Sequence, residues 1–122
     1  MGRYKWSSRA KKSINNIKQR IEKGNVNLVQ ALHLLTAEHN VLNGKPREAE
    51  ESFKHAQISA KRTGFLQDRA LAHELAGLHY MKMEDDYWAK HNFKLAHESY
   101  VDWQAEVKAK HLRDSYPQFF DE

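Results

Sequence analysis

Residues 77–96 read GLHYMKMEDDYWAKHNFKLA, and forty positions earlier residues 37–56 read AEHNVLNGKPREAEESFKHA. Ala37, Ala49, Phe53 and Ala56 of the first stretch return as Gly77, Ala89, Phe93 and Ala96 of the second, at identical spacings. A small residue, a gap, and then Ala-x3-Phe-x2-Ala describe two helices in close contact. Ala37 is expected to face Ala49, and Gly77 to face Ala89, so that the backbones approach, while Phe53 and Phe93 fill the space toward the next hairpin. His33/His73, Leu35/Leu75, Lys54/Lys94 and Ser59/Ser99 also fall in register. Internal repeats with periods of roughly 20–50 residues mark helical arrays, which act mainly by presenting surface.

Working outward from this echo, the rest of the chain reads as helix. Residues 3–23 place Trp6, Ala10, Ile14, Ile17 and Ile21 on one stripe, with Lys and Arg over the remaining face. Gly24 ends that helix, and Asn25 or Asn27 is suited to cap the next, over about 28–43. Gly44 closes the second helix. Pro46 opens the third, where its missing N–H costs nothing, and Glu48, Glu50 and Glu51 suit the positive end of the helix dipole. The third helix runs to Gly64 along Ala49, Phe53, Ala56 and Ala60, and the fourth spans about 66–83. Glu84, Asp85 and Asp86 begin the fifth, whose stripe is Ala89, Phe93, Ala96, Tyr100 and Trp103. A short sixth helix over about 105–114 carries Val107 and Leu112, and Pro117 is expected to end the ordered part. No segment alternates with period two for long enough to form a strand. The expected class is all-α, with about six helices.

At 122 residues the chain is expected to form one domain, 1–122. Within it, 3–23 is a leading helix, 28–63 and 66–103 are two repeats, and 105–114 is a capping helix. There is no cysteine, which excludes disulfides and thiolate sites and suits a reducing compartment. No apolar run approaches the roughly 18–20 residues that span a bilayer. The opening MGRYKWSSRAKKS lacks the apolar core of a secretory signal, so a cytoplasmic, intracellular location is expected. An Arg/Lys-rich, acid-poor start also suits organelle targeting, although the helix runs straight on into the repeat.

The net charge of +4 conceals a division. Residues 1–24 carry eight Lys and Arg against Glu22 alone, a net +7, which leaves −3 for the remainder.

The small-residue, Ala, Phe and Ala spacing resembles a tetratricopeptide repeat, with Gly77, Tyr80, Ala89, Phe93 and Ala96 at its signature positions. The first copy departs from the pattern at Asn40, which stands where Tyr80 does in the second. His33 and His73 occupy the position of the usual early aromatic. The joint KRTGFLQDR lengthens the period from the usual thirty-four residues to forty. A second resemblance covers most of the chain. LLTAEHNVLNGKPREAEESFKHA, GFLQDRALAHELAGLHY, Tyr100–Trp103 and the Val107, Leu112, Tyr116 and Pro117 ending are similar to a helical-repeat segment of large signalling proteins. Those proteins join a predicted ATPase, often with a kinase-like domain, to GAF and histidine-kinase or cyclase domains. The resemblance implies a right-handed solenoid of antiparallel helix hairpins that serves as a spacer and interaction scaffold. It also implies descent from, or membership of, such an assembly.

No constellation calls for chemistry. His73 and His79 lie six residues apart, about 240° around a helix, so they do not share a zinc ion. The pairs His33/His39 and His91/His97 have the same spacing, while a pair across helices such as His55 with His97 stays open. No glycine-rich phosphate loop and no nucleophile elbow occur. No metal, no cofactor and no enzyme activity are expected.

By the tetratricopeptide resemblance, a concave face would present Leu34, Glu38, Val41 and Leu42, then Leu71, Glu74, Leu78 and Lys82. Where carboxylate-clamp arrays hold a peptide terminus with Lys and Asn, this chain has Leu34, Glu38, Glu74 and Leu78. A protein segment with apolar anchors and some Lys or Arg suits such a face better than a terminal carboxylate. The alternative surface is basic: Arg3, Lys5, Arg9, Lys11, Lys12, Lys18 and Arg20 suit nucleic acid or an anionic membrane. The open ends of a short array are a further place for self-association.

Overall fold

Helical periodicity becomes helix throughout. The computed structural model describes the backbone of residues 2–120 and the side chains of residues 8–120. Over these residues the chain forms α1 (Gly2–Glu22), α2 (Leu28–Leu42), α3 (Pro46–Thr63), α4 (Leu66–Lys82), α5 (Asp86–Asp102) and α6 (Glu106–Ser115). A single 3-10 turn, Pro117–Phe119, follows, and no strand occurs among the described residues. The chain divides into two compact units, residues 1–62 and 63–122.

The helices end by one recurring device. Gly24, Gly44, Gly64, Glu84 and Gln104 all adopt left-handed backbone, with φ of 70°, 70°, 77°, 62° and 62°. These residues stand twenty apart, so the forty-residue echo is two equal steps of helix and joint. At four of the joints the turn closes with paired bonds, as at Glu84 N to Met81 O (3.0 Å) and Asp85 N to Tyr80 O (2.9 Å). That is the Schellman pattern, which satisfies carbonyls left without helical partners. Helices α3 to α6 each restart two residues after the left-handed residue. The starts are capped where the sequence allows it. Asn27, rather than Asn25, accepts from Val29 N (3.0 Å) and Gln30 N (3.3 Å), and Asp85 accepts from Trp88 N (3.2 Å).

In residues 1–62, Ala10, Ile14 and Ile17 of α1 are buried, as are Ala31, Leu34, Ala37 and Val41 of α2. Ala49, Phe53, Ala56 and Ala60 form the buried stripe of α3. His33 of α2 and His55 of α3 lie with ring centroids 5.8 Å apart. In residues 63–122 the core gathers Ala70, Ala89, Phe93, Ala96, Tyr100, Ala109, Leu112 and Phe119, flanked by Leu78, Tyr80 and Tyr116. The packing residues read from the repeat therefore lie inside, Tyr80 only partly so.

Three details depart from these expectations. Trp103, expected on the α5 stripe, is 40% exposed. Gly77 meets Phe93 rather than Ala89: a Cβ on Gly77 would stand 2.9–3.1 Å from three carbons of that ring. The chain also stays ordered past Pro117, because Phe119 returns to the core. Phe93 stacks on Tyr116 (4.7 Å, 16°) and on Phe119 (5.3 Å, 29°), and Phe119 is buried. A proline ends a helix but does not stop an apolar residue beyond it from packing.

Two outcomes are expected in urea titrations. Gly77→Ala lowers stability by about 1–3 kcal/mol, although alanine is the better helix former, because the Phe93 ring is held by its two neighbours. Glu84→Gly and Gln104→Gly each raise stability by up to about 1 kcal/mol, since glycine adopts left-handed backbone without a Cβ clash.

Candidate partner-binding surface

Burial first redistributes the residues that the sequence offered as a binding face. Leu34 and Glu38 are fully buried, and Val41 and Leu71 nearly so. Leu42, Glu74, Leu78 and Lys82 are half-buried. The face of α2 expected to look outward is turned inward, and for Glu38 the reason is explicit. Arg9 of α1 donates from Nη2 to Glu38 Oε1 (2.6 Å) and from Nη1 to Oε2 (3.2 Å). This two-pronged pair brings α1 over the α2 face that carries Glu38. In the second unit, Leu78 packs on the aromatic core, and Glu74 accepts from the Tyr100 hydroxyl at 2.6 Å.

The same pair corrects the basic surface. Arg9 is an interior residue, its side chain only 10% exposed. Lys11, Lys12 and Lys18 are exposed as expected, while Arg20 is half-buried and donates from Nε to Asn16 Oδ1 (3.2 Å). The side chains of Arg3 and Lys5 lie outside the described residues. Burial pushes the Glu38 carboxyl above its usual range, and Arg9 and a Ser13 hydrogen bond pull the other way. The guanidinium keeps the site from becoming an unpaired charge in the interior.

In the second unit the buried His73 and Asn92 side chains are engaged with each other. Asn92 Nδ2 donates to Trp88 O (2.9 Å), which turns Asn92 Oδ1 toward His73 Nδ1 at 3.0 Å. That arrangement sets the proton on Nδ1. Burial holds His73 below the ordinary histidine range, with Asn92 opposing and Arg69 and His91 adding to the depression, so the ring is neutral. His97 Nε2 lies 2.6 Å from Arg113 Nη1, as the acceptor of a guanidinium donor. Its pKa falls through burial and then through the Arg113 charge. Of the histidines considered together earlier, His55 faces His33, whereas His97 faces Arg113 and Phe120. Among the described residues no three of His, Asp and Glu converge as a metal site would need.

Among the described residues Ile58 and Phe65 are exposed singly, and the other exposed apolar side chains fall into three groups. Leu28, Val29 and Leu32 begin α2; Val101, Trp103 and Val107 surround the α5–α6 joint; and Met83, Tyr87 and Trp88 lie at the α4–α5 joint. The third is distinct in its chemistry. Tyr87 is 71% exposed and Trp88 44%, their rings edge to face at 5.0 Å. Trp88 also meets His91 (5.1 Å, 84°) and Tyr80 (6.3 Å, 36°), which makes a continuous aromatic surface. Glu84 and Asp86 are exposed beside it, and Asp85 is occupied in capping α5.

Glu84–Asp86 form the expected start of α5, and the adjacent rings are not among the site residues expected from the sequence. A signal for them was present. At about 100° per residue, Tyr87 and Trp88 lie roughly 120° and 140° from Phe93, on opposite sides, so both fall off the buried stripe. Charge is divided between the units as well. Residues 1–62 hold thirteen Lys and Arg against five Asp and Glu, a net +8, and residues 63–122 hold seven against eleven, a net −4.

Comparisons with family models, with curated proteins and with solved structures find no match to this chain. No helix among the described residues is long and apolar enough to cross a membrane.

The Arg9–Glu38 pair has a measurable signature. Glu38→Ala leaves a buried guanidinium without its acceptor and is expected to cost about 3–5 kcal/mol. Replacing both, Arg9→Met with Glu38→Leu, is expected to cost far less than the single change. Chemical denaturation of the single and double variants reads the difference as a coupling energy.

Proposed function

We propose that the protein works by binding other protein chains rather than by catalysis, as a tetratricopeptide-like, right-handed helical array derived from a multidomain signalling ATPase or kinase. The carrying observation is the exposed aromatic surface of Tyr87, Trp88 and His91 at the α4–α5 joint. Large aromatic side chains left in water are costly unless a partner covers them, and they are the residue types that dominate interface energetics. Supporting the non-catalytic reading, Arg9, Glu38, His73, Asn92, Glu74 and Tyr100 are committed to bonds that tie helices together or hold a helix internally. The recurring twenty-residue step and the Gly77–Phe93 contact support the repeat architecture. A second reading, binding of nucleic acid or an anionic membrane, is favoured by the exposed Lys11, Lys12 and Lys18 and weakened by the inward turn of Arg9.

The docking surface is tested by comparing the unmodified chain with Tyr87→Gln/Trp88→Gln after crosslinking in the cells that express it. Both changes lie at exposed positions, so helix content and melting should match. The expected outcome is loss of one or more crosslinked partners from the variant, about tenfold in yield. Identical crosslinked sets would remove the aromatic surface from the reading.

A further inference from the structure

We infer that the occupant of the Tyr87–Trp88 surface is a second copy of this chain, which presents the lysine face of its own α1. The inference rests on the docking reading above and names the partner.

The patch itself specifies a cation. Two exposed rings with Glu84 and Asp86 alongside offer π faces and carboxylates together, the combination that attracts ammonium groups. Neither carboxylate is held by an ion pair among the described residues, in contrast to Glu38 with Arg9 and Asp114 with Lys110. Lys90, one turn further along α5, is half-buried and does not displace this acidic edge.

The chain carries a matching face. Lys11, Lys12 and Lys18 are exposed on α1 and make no ion pair among the described residues. Lys11 and Lys18 are seven residues apart, two turns on one side of the helix, about 10 Å along its axis. Asn15 is exposed between them. The long lysine stems can lie along the rings while the ammonium groups reach the carboxylates.

Charge also selects the geometry. With +8 on residues 1–62 and −4 on residues 63–122, a two-fold contact through either surface would set like charge against like. Only the opposed surfaces of two copies attract. Each copy carries one surface of each kind, so the contact forms between copies and strengthens with concentration.

Sedimentation velocity on the full chain tests this across concentration, at low salt (about 20 mM) and at high salt (about 500 mM), where surface charges are screened. The expected result is a weight-average mass that climbs with concentration at low salt and falls to the monomer at high salt. Three variants sharpen it: Tyr87→Gln/Trp88→Gln, Glu84→Lys/Asp86→Lys, and Lys11→Glu/Lys12→Glu/Lys18→Glu. Each alone should associate at least tenfold more weakly than the parent. Mixing the last two should restore association, because their unlike surfaces again attract across copies. A monomer at every concentration and salt overturns the proposal, as does association that none of the variants weakens. A monomeric chain that still crosslinks a different protein through Trp88 overturns the self-pairing while leaving the docking surface in place. Duplex DNA and anionic vesicles form the last arm. If they bind the parent through Lys11, Lys12 and Lys18 while it stays monomeric, the lysine face serves that ligand and the proposal fails.

Discussion

The contact between Gly77 and the ring of Phe93 is the constraint on which the second unit depends. The ring sits where a Cβ on residue 77 would intrude, so α4 and α5 approach as closely as helices with a side chain at the crossing could not. That approach aligns Phe93 for stacking on Tyr116 and Phe119, which draws the chain beyond Pro117 back onto the core. It also decides the surface. With Ala89, Phe93 and Ala96 committed inward, Tyr87 and Trp88 have no route to the interior from the same helix. One small residue thus sets both the packing and the exposed aromatic surface.

The first unit is organised around an ion pair. Arg9 and Glu38 each carry a cost of burial, and their two-pronged geometry offsets it while tying α1 to α2 at one register. A purely apolar seam of Ile and Ala would tolerate sliding by a turn, whereas a guanidinium opposite a carboxylate would not. The pair also accounts for the fate of the α2 face. Residues that look like groove residues on an isolated hairpin become interior residues once a third helix lies over them.

Much of the candidate surface was legible, though in pieces. The acidic start of α5 and the +7 leading helix are visible as composition, and the rings at 87 and 88 fall off the stripe set by Phe93. Assembling them required knowing that Tyr80 and His91 flank Trp88, and that Glu84 and Asp86 are exposed beside it. The forty-residue register sets Glu84 opposite Gly44 and Gln104 opposite Gly64, but their residue types do not announce a left-handed backbone. Their left-handed backbone is imposed by the helices on either side, not by their own preference.

The sequence by itself determined the six helices, their approximate bounds, the buried stripe of α3, most of that of α5 and the split of charge along the chain. These are properties of residues a few positions apart, and helical periodicity, caps and glycines express them without reference to distant partners. Only the tertiary structure decided that Glu38 is an interior acid held by Arg9, that Phe119 belongs to the core, and that Tyr87 and Trp88 remain in water. A helix specifies which of its faces is apolar. What covers its remaining faces is set by side chains tens of residues away, such as Arg9 for Glu38 and Phe119 for Phe93.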